Sequence, residues 1–142
     1  MLKRFSPPRA LSLPERLLVE RLLNAPFEGA TELRSQLSTA RVVEEFRGGV
    51  TYFKFVVDRE RSQRALNELR VPVEGYATDS DGADMVILLH VVEGYLQELE
   101  LWRGDSVFVR ELPHPSALRV IVGGGPSPRR ARNGGRIPPV QS

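Results

Sequence analysis

Few residues in this chain are of types that carry chemistry, and their spacing separates more than it assembles. The two histidines are His90, in the middle of an apolar run, and His114, between two prolines. A histidine can serve as general base or metal ligand, but either role needs partners that this spacing does not supply. Glu98 and Glu100 stand two apart in a strand-like segment, so both point to one face about 7 Å apart. Paired carboxylates at that range can run acid–base hydrolysis, and the same pattern is the polar half of any alternating strand. Asp79, Asp81 and Asp84 crowd one short stretch, but Gly82 comes too early for a calcium loop, and Asp-Gly is what a tight turn requires. Gly123 to Gly125 are followed by Pro126 and Pro128, which excludes a phosphate loop leading into a helix. The chain has no cysteine, so disulfides, thiolate metal sites and cysteine nucleophiles are excluded together. These residues define no catalytic set, and neither a metal nor a cofactor is expected.

The elements that would position them read as one α+β domain. Ser12 begins a helix with a capping box to Glu15 and Pro14 in its first turn. Leu17, Leu18, Val19, Leu22 and Leu23 form its apolar stripe, and Asn24 and Pro26 end it. A second helix is predicted over 30–37, with Ala30, Leu33 and Leu37 on one face. Residues 42–47 and 50–58 read as a hairpin around Gly48-Gly49, since both glycines accept the positive φ of a primed turn. Its core side collects Val42, Phe46, Phe53, Phe55 and Val57, with Glu44 as a misfit. The opposite side collects Arg41, Val43, Glu45, Tyr52 and Lys54. Ala65, Leu66 and Leu69 suggest a short helix over 59–70. Strands follow over 71–78, 85–92 and 95–102, the last two joined at Glu93-Gly94. Two more apolar segments, 107–110 and 118–122, complete the sheet. The expected fold is N-terminal helices packed on one face of a mainly antiparallel meander sheet.

The chain of 142 residues has a net charge of +2 that conceals its layout. Residues 1–10 hold three basic side chains and residues 123–142 hold four, with no acid in either. The segment between them keeps 13 basic against 18 acidic side chains, about −5. Both ends are rich in proline, glycine or arginine and are expected to be disordered tails flanking a domain at 11–122. Arg129, Arg130, Arg132 and Arg136 could touch nucleic acid weakly and without sequence preference. No apolar stretch approaches a membrane span, and none follows the basic start as a secretion signal would need, so a cytoplasmic location is expected.

The segment from Val86 to Val120 carries an apolar strand ending in Leu88 to Val91, the Glu93-Gly94 turn, Leu96, and Leu99-Glu100. It continues with Leu112-Pro113 through Pro115 to Leu118. Together with Pro26 to Ala30 and Leu33, this pattern resembles a family of short uncharacterised bacterial proteins, mainly actinobacterial. The resemblance spans residues 12–120. Many members carry a cysteine-rich patch where this chain has Phe46-Arg47-Gly48-Gly49-Val50, so no metal role transfers at that place. The resemblance implies a fold and no activity.

A two-residue loop at Glu93-Gly94 predicts that Ile87 pairs with Glu100 and Leu88 with Leu99. Under that register Met85, Ile87, Leu89, Val91, Leu96 and Trp102 share a face edged by Glu98 and Glu100, while His90 lies on the other. An apolar face with an acidic edge marks either a protein-binding surface or a face that the chain's own C-terminal run or a curled sheet covers. The favoured expectation is a non-catalytic binding protein, docking another protein or itself, in the manner of small bacterial immunity or antitoxin-like proteins. A small hydrolase or ligand-binding domain using Glu98, Glu100 and His90 is the alternative.

Overall fold

The computed structural model describes residues 6–123. Helix α1 (Leu13–Leu23) starts where its cap predicts: the Glu15 amide donates to Ser12 Oγ at 3.3 Å, and the Ser12 amide donates to the Glu15 carboxylate at 2.9 Å. Helix α2 (Ala30–Leu37) follows a left-handed Gly29. Leu18, Val19, Leu22 and Leu23 of α1 and Ala30, Leu33 and Leu37 of α2 are buried, while Leu17 faces outward.

The strands are β1 (Arg9–Ala10), β2 (Arg41–Arg47), β3 (Val50–Val56), β4 (Val73–Thr78), β5 (Asp84–Val92), β6 (Tyr95–Arg103) and β7 (Arg119–Val122). They form one seven-stranded sheet, ordered β1-β2-β3-β6-β5-β4-β7, and every pairing is antiparallel. Two sequential runs, β1-β2-β3 and β4-β5-β6, join side by side through β3 and β6. Both helices pack on one face, giving an α+β domain with a single main core. That core combines α1 and α2 with Val42, Phe53, Val73, Met85, Ile87, Leu89, Leu99 and Leu101.

The Gly48-Gly49 hairpin closes with Arg47 opposite Val50, as its primed turn requires. Glu44 does fall on the core side of β2, and Arg9 explains it. The Arg9 guanidinium grips Glu15 at 2.8 Å and reaches Glu44 at 3.6 Å. Arg9 and Ala10 therefore belong to the sheet rather than to a disordered lead-in, a correction to the expected 1–10 boundary. The rest of the predicted tails, residues 1–5 and 124–142, lies outside the described residues, as do Arg129, Arg130, Arg132 and Arg136.

Two predicted elements do not form. Residues 59–70 are irregular rather than helical, because their polar groups are used by distant parts of the chain. Ala65 N–H donates to Gly94 O, Asn67 Nδ2 to Glu28 O, and Gln63 O accepts from Gln36. Residues 107–110 are not a strand. The Arg110 amide donates instead to Asp79, which turns the segment away from the sheet. Strand β4 begins just after Pro72, whose ring cannot donate to a ladder.

Candidate functional site

The sheet face without helices takes its residues from register alone. The Glu93-Gly94 turn forms as expected, with both residues at positive φ and Val92 opposite Tyr95. Val91 then faces Leu96, but His90 faces Glu98, so Gln97 is an extra residue on β6. This is a β-bulge, which moves every later pair by one residue and exchanges the faces of the partner strand. Leu88 pairs with Glu100, Ile87 with Leu101 and Val86 with Trp102. The predicted Ile87–Glu100 and Leu88–Leu99 pairs are therefore corrected.

Gln36 accounts for the bulge. Its side chain is 1% exposed and lies against the β5–β6 turn. Nε2 donates to Gly94 O and to Gln63 O, and Oε1 accepts from the Leu96 amide, each at 2.9 Å. A strand amide that would otherwise seek a partner in the ladder is satisfied by a helix side chain. Buried backbone donors must find such partners.

The correction divides the predicted surface. Met85, Ile87, Leu89, Val91 and Leu96 are buried under the helices, each at most 3% exposed. They cannot meet a partner while the domain stays folded. Glu98, Glu100 and Trp102 lie on the opposite face, and His90 joins them there. One row across that face reads Glu45, Tyr52, Glu100, Leu88, Glu74 and Ile121; the next reads Val43, Lys54, Glu98 and His90. Trp102 packs with Tyr76, Val86 and Leu88 in a second, smaller apolar cluster.

His90, Glu98 and Glu100 form the chemical centre of this face. Their nearest ligand atoms all lie within 4.8 Å of one another. His90 Nε2 is 2.6 Å from Glu100 Oε1, and Arg70 Nε donates to His90 Nδ1 at 3.1 Å. An imidazole nitrogen that accepts carries no proton, so the proton sits on Nε2 and is donated to Glu100. Lys54 reaches Glu98 at 3.7 Å and Glu45 at 3.5 Å. Tyr52 lies beside Glu100 under the Arg47 guanidinium, 4.5 Å from its ring centre. Sequence reasoning placed Tyr52 and Lys54 on the correct side of their hairpin. It could not bring them to Glu98 and Glu100, because β3 and β6 are not consecutive. Arg70 had no local signal at all.

The aspartates of the 79–84 segment do other work. Asp79, Asp81 and Asp105 surround Arg103, whose side chain is 4% exposed; Asp79 is 3.0 Å away and Asp81 2.9 Å. Burial disfavours the charged form of Asp79. The amides of Arg110 and Ser80 and the Arg103 guanidinium outweigh that penalty and hold its carboxyl below the usual range. Asp84 lies at the exposed start of β5. The Asp cluster is a structural clamp. The grooves that indent the surface of the described residues include two of some size. One lies between residues 26–28, 64–69 and the β5–β6 turn, the other between Glu15, Glu44, Phe46 and residues 109–112. Neither is lined by His90, Glu98 or Glu100.

The architecture defines a class: a small α+β domain with helices on one side of an antiparallel sheet and a polar, aromatic face on the other. Residues 8–113 match a family described as a domain of unknown function, DUF6984, and the chain belongs to that family. No curated protein matches the chain, and no solved structure does. Among the described residues no helix is long and apolar enough to cross a membrane.

Proposed function

We propose that this protein is a non-catalytic binding module whose helix-free sheet face docks a partner protein through its half-buried polar and aromatic side chains. The contact set is Trp102, Tyr52, Lys54, His90, Glu98 and Glu100. One observation carries the reading: both helices pack on one side of a seven-stranded sheet, and aromatic and carboxylate side chains are ranged across the other. Aromatic groups supply buried area at an interface, and a charged rim supplies orientation. The carboxylate rows favour a partner with a basic surface. A hydrolase using the same residues gains most from a water-excluding cleft, and these side chains line neither groove.

The test pairs two variants that keep the main core under the helices intact. Trp102→Ala with Glu100→Lys should preserve the circular dichroism spectrum and abolish capture of a partner from host extract. Leu17→Asp, on the exposed side of α1, should leave capture unchanged. Equal capture by all three proteins would sink the proposal. So would hydrolytic turnover by the wild type that Glu100→Gln abolishes.

A further inference from the structure

We propose that His90, Glu98 and Glu100 form a binding site for a divalent transition-metal ion of the Zn2+ or Mn2+ type, with Arg70 competing against it. The inference does not depend on whether a protein docks on this face. One imidazole and two carboxylates suit such ions, and the two carboxylates balance the charge of a divalent cation. The three residues stand on two neighbouring strands, His90 on β5 and the glutamates on β6, with backbones held by ladder hydrogen bonds. The Gln97 bulge puts them on one face, and bulges commonly re-aim side chains beside functional sites.

The geometry is near what a metal requires. Donors at about 2.0–2.2 Å from zinc stand roughly 3.5 Å apart at tetrahedral angles. The ligand atoms lie within 4.8 Å of one another, so glutamate rotation of about 1 Å would close the set. Three protein donors leave at least one position for water or for a side chain of a docked partner.

The hydrogen bonds show what must change. Arg70 Nε–H points at Nδ1, and Nε2–H points at Glu100. A metal on Nε2 moves the imidazole proton to Nδ1, which can then no longer accept from Arg70. No proton leaves the protein; the Arg70 contact is lost. The Lys54 ammonium, 3.7 Å from Glu98, need not leave, because a carboxylate can hold it on one oxygen and a metal on the other. Metal and Arg70 are thus mutually exclusive at this histidine, and that separates a real site from a chance cluster.

Calorimetric titration of the untagged, chelator-treated full chain with ZnCl2 and with MnCl2 tests the proposal. One ion should bind per chain. Glu98→Gln, Glu100→Gln and His90→Gln should each weaken binding by roughly tenfold or more. His114→Gln should leave it unchanged, and Arg70→Met should tighten it. No binding by the wild type, or weakening by His114→Gln equal to that by His90→Gln, would overturn the site. Arg70→Met without tightening would overturn the competition. Should a glutamate variant fail to fold, nitrogen NMR of the wild-type imidazole decides. The Nε2 resonance of His90 must lose its proton signature on adding zinc, and an unmoved resonance refutes the proposal.

Discussion

Replacing Gln36 by leucine, which is of similar volume and carries no polar group, tests what holds the bulge in place. The substitution removes one acceptor and two donors from a site that is 1% exposed. The Leu96 amide loses its partner, as does the Gln63 carbonyl, whereas the Gly94 carbonyl retains the Ala65 amide at 2.9 Å. A buried group left unpaired costs about 1–3 kcal/mol. The buried Leu96 amide bears that cost in full and the part-buried Gln63 carbonyl only its low end, about 1 kcal/mol; less about 1 kcal/mol for burying leucine in place of an amide, the net loss is about 1–3 kcal/mol. Urea unfolding followed by circular dichroism should therefore move to a midpoint about 0.5–1.5 M lower, taking a slope near 2 kcal/mol per molar. The slope itself should not change. A loss below about 0.5 kcal/mol would show that the bulge does not rest on this side chain and would refute the reasoning.

Ile87→Lys buries a charge on the helix side, where Ile87 is 0% exposed, and should cost about 4 kcal/mol or more, or prevent folding outright; a fully stable variant by thermal unfolding would contradict the register. Arg9→Ala should lower stability by roughly 0.5–1 kcal/mol, because its ion pairs are partly exposed and screened, and denaturation at high salt should shrink the difference. Asp79 is depressed in the folded state, so its contribution is present above its unfolded pKa of about 3.9 and is lost as pH falls through the lower folded value. Asp79→Asn should accordingly destabilise the protein at neutral pH and flatten the acid limb of stability against pH below about 4; an unchanged acid limb would show that the clamp is not linked to folding.

What was legible in the sequence is what is written locally. The Ser12–Glu15 box, the two-residue turns at Gly48-Gly49 and Glu93-Gly94, and the alternation of Val42 to Phe55 rest on neighbours within a few positions. They form as read. The face of β6 is different, because Gln97 bulges only when Gln36, some sixty residues earlier, satisfies the Leu96 amide. Nothing near Gln97 records that contact, and the whole predicted Trp102 face changed with it. The pairing of β3 with β6, which brings Tyr52 and Lys54 to the glutamates, is equally non-local. Residues 59–70 carried a helical pattern in Ala65, Leu66 and Leu69. Yet their backbone groups serve α2, the Gly94 turn and Glu28, and tertiary hydrogen bonds won over weak propensity. Asp79 and Asp81 read correctly as turn formers, but their partner Arg103 lies on another strand.

The docking face and the metal site both require His90 to share a face with Glu98 and Glu100, and cross-strand nuclear Overhauser contacts between β5 and β6 measure that directly. The predicted result is that backbone protons of Leu88 approach Glu100 and those of His90 approach Glu98, with Gln97 lacking an opposite partner. Contacts of Leu88 to Leu99 and of His90 to Gln97 would mean a regular hairpin without a bulge. His90 would then face away from both glutamates, and neither the docking face nor the metal site could exist.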